Sequence, residues 1–332
     1  KGERPQITFN TYTGIQQQSN LTVDLLNSDQ WIELDKESYE NAGIALPYSD
    51  ADLVQYDGIN TDWLDVVTQL GKVNFYDLSL NGGSDQSTYF FSANYRNEEG
   101  IIKSTSANRI SLRLNSNHKI TNFIELGESL NIYNRNISGN PNSSGIGGLP
   151  STGGNNPYTR AIEKVPLSRP YEEDGSYGYI RNSTIEHRFL PPNVITNEYV
   201  NSTGINGLIG NLFLNVNLLD GLKFTPRINL EYSMLKNSQF VPSVVIRDTE
   251  SVAKNGVSKY NRSVVHWNSD YMLTYDKDFG GIHRISALLG YSQEEYSSEN
   301  LGGTRYETPN NEIQYLNAGD ASTSGNSNGI SE

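Results

Sequence analysis

Adjacent carboxylates occur three times in this chain, at Glu98-Glu99, Glu172-Glu173-Asp174 and Glu294-Glu295. Cleaving a glycosidic bond takes two carboxyl groups facing each other across a bound sugar. Acids adjacent in a polar loop point into solvent instead, so no catalytic residue and no enzymatic activity is assigned. The four histidines, His118, His187, His266 and His283, are far apart, and none forms an H-x-x-x-H pair. The chain has no cysteine, which excludes disulfides and thiolate metal sites. "DKDFGG" begins like a calcium loop but lacks the later ligands. "SGIGGLPSTGGNNP" is glycine-rich without either phosphate-binding pattern. No metal and no cofactor is expected.

Residues suited to binding are better represented. Tyr158, Tyr171, Tyr177, Tyr179 and Arg181 stand among Pro, Gly and Asn in the weakly patterned stretch Asn134 to Gly204. Exposed rings stack on sugars or peptide side chains, and polar neighbours hydrogen-bond them. The same rings can equally pack the loop against its surroundings. A second set, Arg109, Arg113, Glu125, Lys223, Arg227 and Glu231, alternates with apolar residues. Leu222, Phe224, Pro226, Ile228, Leu230 and Tyr232 oppose Lys223, Thr225, Arg227, Asn229 and Glu231. Successive side chains of a strand point to opposite faces, so these charges share one face of a half-apolar strand.

About nine such strands are predicted. They run Gln6–Gln16, Lys72–Leu80, Ser87–Tyr95, Arg109–Asn115, Phe123–Tyr133, Gly207–Leu218, Leu222–Tyr232, Val264–Tyr275 and Ile282–Tyr291. In Ser87–Tyr95, the residues Tyr89, Phe91 and Tyr95 share a face opposite Ser92 and Asn94. The connections alternate. "NGGSDQ", "NSNHKITN", "LDG" and "DKDFGG" are short, whereas Gln17–Gly71, Asn97–Asn108, Asn134–Gly204 and Lys236–Asn261 are longer. The tail from Ser292 is polar and rich in Gly, Asn and Ser. Within the first long segment, "LLNSDQWIELDKESYENAG" predicts a helix capped by Ser28, with Trp31, Leu34 and Tyr39 on an apolar stripe.

One such strand alone reads as half of a soluble sandwich. Short turns at one end and long loops at the other are instead the layout of an outer-membrane barrel. Tyr76, Tyr95, Tyr133, Tyr232, Tyr275 and Tyr291 lie near strand ends, where a barrel carries interfacial aromatic girdles. Glu128 conflicts with this pattern, because it falls in the apolar register of its strand. No run of 18 apolar residues forms a membrane helix, which does not bear on barrel strands. The net charge of -13 argues against nucleic-acid binding.

"NTDWLDVV", "LSLNGGSDQSTYFFSANYRNEEGII" and "NRISLRLNSNHKITNFIELGESLNI", between Asn60 and Tyr133, resemble the SusC/RagA family of TonB-dependent outer-membrane transporters of the Bacteroidetes. The resemblance rests on Asp62-Trp63, the turn Gly82-Gly83-Ser84, the Tyr-rich strand Tyr89 to Gly100, and Arg109 with Arg113 and Asn115. "ITFNTYTGIQQ" and "LLNSDQWIEL" extend it toward the start of the chain. It implies an all-β fold: an antiparallel transmembrane β-barrel portion, nine or so of an expected 22 strands. Residues 17–71 and 134–204 would be long extracellular loops, and the plug domain and remaining strands would lie outside these residues. The implied activity is TonB-dependent import of a glycan or peptide nutrient. The implied partners are a SusD-like lipoprotein, TonB and outer-membrane lipid. The second set of charges would then face the lumen or the plug. Two other functions fit the same residues: a secreted or surface carbohydrate-binding β-protein, and a structural barrel component of an envelope complex.

Overall fold

The structure is a computed structural model that describes residues 3–19, 24–139, 156–180, 185, 190–247 and 250–331. Among these the strands are β1 (Glu3–Gln16), β2 (Gly71–Gly83), β3 (Ser87–Glu99), β4 (Ser106–Lys119), β5 (Ile124–Ser138), β6 (Val200–Leu219), β7 (Leu222–Val241), β8 (Val244–Arg247), β9 (Glu250–Val252), β10 (Gly256–Phe279), β11 (His283–Tyr306) and β12 (Gly325–Ser331). Ten form one antiparallel sheet in the order β1-β2-β3-β4-β5-β6-β7-β10-β11-β12, while β8 and β9 pair separately. All nine predicted strands are present in this all-β fold.

Most strands run further than the alternation suggested. β6 begins at Val200, β7 reaches Val241, β10 begins at Gly256 and β11 continues to Tyr306. The stretch 236–261 is therefore mostly strand and hairpin, and the tail from Ser292 begins as ladder. Backbone pairing continues there although the side chains on both faces have become polar. Hydrophobic alternation marks only the band that meets an apolar medium, so it underestimates strand length.

The pairing register gathers the apolar residues onto one face. One row runs Leu78, Ala93, Leu112, Ile132 and Leu208 across β2 to β6. The next runs Leu80, Phe91, Leu114 and Leu130. Much of this face is exposed, including Phe9, Leu78, Phe91, Leu112, Leu230 and Leu289. A soluble domain would cover so wide an apolar surface. Tyr76 stacks on Tyr95 and Tyr271 on Tyr291 on this same face, with ring centroids 6.5 and 6.2 Å apart. Tyr133 does not join them. It pairs with Ser111 and Gly207 and so lies on the opposite, polar face.

The ends of the sheet differ as the sequence predicts. Ser84, Thr121 and Asp278 each accept backbone N–H groups within a tight turn. Gly221, Gly280 and Gly281 take positive φ (83, 70 and 72°), the conformation that favours glycine in turns. The long connections meet at the other end. They carry α1 (Ser28–Ala42), α2 (Asp50–Leu53), α3 (Trp63–Val67), α4 (Pro157–Glu163) and α5 (Pro192–Glu198). The cap of α1 is Asn27, one residue before the expected Ser28. Asn27 accepts from Gln30 N at 2.9 Å, and the Gln30 side chain returns the bond to Asn27 N. Ser28 is freed to donate to Ile59 O at 2.6 Å. The apolar face of α1 uses Trp31 and Ile32, whereas Leu34 is exposed.

Candidate functional site

Two surfaces are candidates: the layer built by the long connections, and the polar face of the sheet.

The layer has cores of its own. Tyr48, Tyr56, Val165, Leu167, Ile180 and Ile185 form one cluster, which joins residues of the first and second long connections. Trp63, Leu64, Val67 and Ala161 form another, with Tyr158 packed against it. Val194, Ile195 and Tyr199 form a third, against Tyr177 and the hairpin residues Val244 and Ile246. Polar bonds lock these cores together. Asp62 caps α3 by accepting from Leu64 N and Asp65 N at 3.0 and 3.2 Å. Trp63 Nε1 donates to Val165 O at 3.0 Å, and Thr61 Oγ1 donates to Ser168 O at 2.7 Å. Lys103, from the β3–β4 connection, donates its ammonium to Asp65 O and Val66 O near the C-terminal end of α3, where the helix dipole favours a cation. Asp62-Trp63, one of the pairs that carried the resemblance, thus anchors one loop to another.

A recess of about 980 Å³ opens beside this anchor. Its walls include Leu25, Trp31, Ile162, Asp24, Asp65 and Glu163. Sequence reasoning did not find it, because its residues come from connections distant in sequence that share no local pattern.

The predicted loop tyrosines divide. Tyr171 and Tyr177 come together, with ring centroids 5.6 Å apart. Tyr171 Oη accepts from Asn197 Nδ2 at 2.7 Å, and Tyr177 Oη donates to Glu198 at 2.7 Å. Burial and the hydrogen bond to Glu198 hold the Tyr177 hydroxyl well above the usual tyrosine range. Tyr158 lies elsewhere, accepting from Gln18 Nε2 at 3.0 Å. Tyr179 is half-buried. Arg181 lies outside the described residues.

The polar face of the sheet holds all six predicted charges. Arg109 and Arg113 alternate with apolar Ile110 and Leu112 on β4. Glu125 of β5 pairs in register with Asn215 of β6, and its carboxylate accepts from Asn215 Nδ2 at 3.2 Å. Lys223, Arg227 and Glu231 follow along β7. No ion pair joins any of the six to another charge among the described residues. Instead, Arg113 and Glu231 border a recess of about 490 Å³ with Asn131, Asn211, Asn229 and His266. Contacts on this face that the sequence did not suggest include His266 Nε2 with Glu294 Oε1, 2.6 Å apart, and the ion pair of Arg284 with Asp276 at 2.8 Å.

Arg109 and Arg227 take part in three-layer stacks. The Arg109 guanidinium lies 4.9 Å from the centre of the Tyr133 ring, which in turn covers Gly207. Arg227 lies 5.8 Å from the Phe213 ring, which covers Gly127. A Cβ at either glycine would overlap the ring above it. The glycines leave the ring space to lie flat across the strand, and each ring offers a cation its π face. We expect Gly207→Val to cost about 1–3 kcal/mol by overpacking. In the double variant with Tyr133→Ala, part of that loss should return. Unfolding of the single and double variants in detergent checks this, and strictly additive losses would refute the stack.

No family model matches the chain. It is 25% identical over 316 residues to TonB-dependent receptor P3 of Formosa agariphila, covering 95% of this chain and 29% of that protein. Against TonB-dependent receptor P26 of the same organism it is 24% identical, covering 89% of this chain and 28% of that one. The chain thus spans under a third of the length of these relatives. Its fold matches a solved structure of the RagAB peptide transporter with a TM-score of 0.76 at 17% identity, covering 99% of this chain and 40% of that one. It also matches the RagAB peptide importer in a "closed-closed" state, with a TM-score of 0.77 at 18% identity, covering all of this chain and 40% of that one. The resemblance read between Asn60 and Tyr133 is borne out, and the likeness extends along nearly the whole chain.

Proposed function

We propose that this chain, which is of the SusC/RagA type of TonB-dependent transporter, forms part of the wall and outer loop layer of a barrel that imports a glycan or oligopeptide across the outer membrane. The observation that carries this reading is the exposed apolar face of the ten-stranded sheet, combined with tight turns at one end and packed loops at the other. The apolar face meets lipid. The polar face, with Arg109, Arg113, Glu125, Lys223, Arg227 and Glu231, lines the lumen. The loop layer formed by the described residues of the long connections faces outward. Tyr158, Tyr171, Tyr177 and Tyr179 stand in that layer, where cargo and a SusD-like lipoprotein would meet it.

The edge of β1 and residues 283–297 of β11 have no further partner strand among the described residues. In a bilayer each unpaired backbone group costs several kcal/mol. The wall is therefore closed by strands beyond this sheet. TonB supplies the energy through the periplasm, and no covalent chemistry is required of these residues.

Deleting the whole gene in its host should abolish uptake of the nutrient that induces it. Undiminished uptake would overturn the import reading. A protein that stays dispersed without detergent would favour a soluble carbohydrate-binding role instead.

A further inference from the structure

The polar residues on the lipid-facing side include one connected group. Ser87, Ser116, His118 and Glu128 lie on neighbouring strands β3, β4 and β5, on the same face as Phe91 and Leu114. Ser116 Oγ donates to Glu128 Oε1 at 2.9 Å. Ser116 also lies 2.8 Å from His118 Nε2, and His118 Nδ1 lies 2.9 Å from Ser87 Oγ. A serine hydroxyl has a single hydrogen. Because Ser116 gives its hydrogen to Glu128, it must accept from His118, so Nε2 carries a proton. In the neutral ring Nδ1 then accepts from the Ser87 hydroxyl. With the ring neutral, every hydrogen in the chain points toward Glu128.

Glu128 itself is incompletely matched. Its second oxygen accepts no hydrogen bond, and no cation lies within ion-pair distance, among the described residues. Its neighbours on this face are Leu126, Leu130 and Leu212, by strand alternation and register. A carboxylate among leucines facing hydrocarbon is costly unless a positive partner reaches it. The depth is suitable for such a partner. Glu128 stands about 13 Å along β5 from Ile124 at the tight-turn end, and less than that in height because barrel strands tilt. That is within reach of lipid headgroups in the leaflet at that end.

We infer that Glu128, held by the Ser116–His118–Ser87 chain, is a binding site for the ammonium headgroup of a phospholipid, of the phosphatidylethanolamine type. The ammonium would donate to the open carboxylate oxygen, and the Ser87 and His118 end of the chain would lie beside the phosphate. This inference rests on the membrane reading above.

The full-length transporter can be placed in nanodiscs of equal phosphatidylethanolamine and phosphatidylglycerol, and its retained lipids measured by native mass spectrometry. The native protein should retain the ethanolamine lipid selectively. Glu128→Gln should lower that retention about tenfold, the size expected for losing one charge-assisted hydrogen bond. Ser116→Ala, which keeps the charge but removes its support, should lower it less. Glu294→Gln, on the other face, should leave it unchanged. Equal retention of both lipids by the native protein, or undiminished retention by Glu128→Gln, would overturn the inference. A protein that does not enter the nanodisc would overturn the membrane reading itself, and this site with it.

Discussion

Replacing Trp63 with alanine is expected to loosen the loop layer by about 3–5 kcal/mol, the usual cost of truncating a buried tryptophan, while leaving the strands paired. Trp63 is 2% exposed, and its cluster joins α3 of the first long connection to Ala161 of α4 in the second. Its indole N–H also satisfies Val165 O. Truncation therefore opens a cavity and orphans a buried carbonyl at the same point. The other ties nearby are the bonds that Thr61 donates to Pro166 O and Ser168 O and the separate core of Tyr48, Tyr56, Val165 and Leu167. Amide hydrogen exchange should rise across residues 50–68 and 157–180 and stay unchanged in β3 to β5. Exchange that rises equally in the strands would show that loops and wall unfold as one unit. Unchanged exchange would show that the anchor carries little stability. If the layer receives cargo as proposed, uptake should fall with it.

The second large effect belongs to the wall. Phe91→Arg should cost about 2–4 kcal/mol in a bilayer, the penalty for a cation near the midplane of a barrel's lipid face. Phe91 is 38% exposed between Leu80 and Leu114, so the arginine would stand in hydrocarbon with no acid opposite it on either neighbouring strand. The matched control is Asn94→Arg, on the polar face of the same strand opposite Asp77. The control gives up the hydrogen bond that Asn94 Oδ1 accepts from Ser111 Oγ, so it should cost about 1 kcal/mol, less than the loss at Phe91. Ser92 is a poorer control, because it is 7% exposed and opposite Arg113. The heat-resistant folded fraction on electrophoresis after expression into membranes separates the variants. Equal losses at 91 and 94 would overturn the assignment of faces.

The wall was legible because its information is local. Alternation at period two placed Phe91, Leu112 and Leu230 on one face and Arg113, Arg227 and Glu231 on the other, and backbone geometry preserves that division wherever the strand goes. The turn residues at Ser84, Thr121, Gly221 and Gly280 were equally readable, because each acts within a few residues of itself. Where both faces turn polar the signal stops, so the ends of β6, β7, β10 and β11 nearest the loop layer read as loop or tail. Tyr133 was read as an interfacial ring because it stands near a strand end. Its place beneath Arg109 and across Gly207 depends on residues far away in sequence.

The loop layer was scarcely legible. Val165, Leu167 and Ile180 look like scattered apolar residues in a polar stretch, and nothing near them announces Tyr48 or Tyr56. Their contacts are chosen when strand pairing brings the long connections to the same end. Glu128 shows the same division on a smaller scale. The sequence alone marked it as a charge in an apolar register. Only the pairing of β3, β4 and β5 supplied Ser116 and His118 to hold it. The sequence by itself thus determined an all-β chain, its apolar and polar faces, and the alternation of short and long connections, all of which follow from backbone periodicity and turn chemistry. The tertiary structure alone decided which loops share a core, which rings lie over which glycines, and what stands beside Glu128. Those are contacts between distant residues, set by register and packing, and no local pattern encodes them.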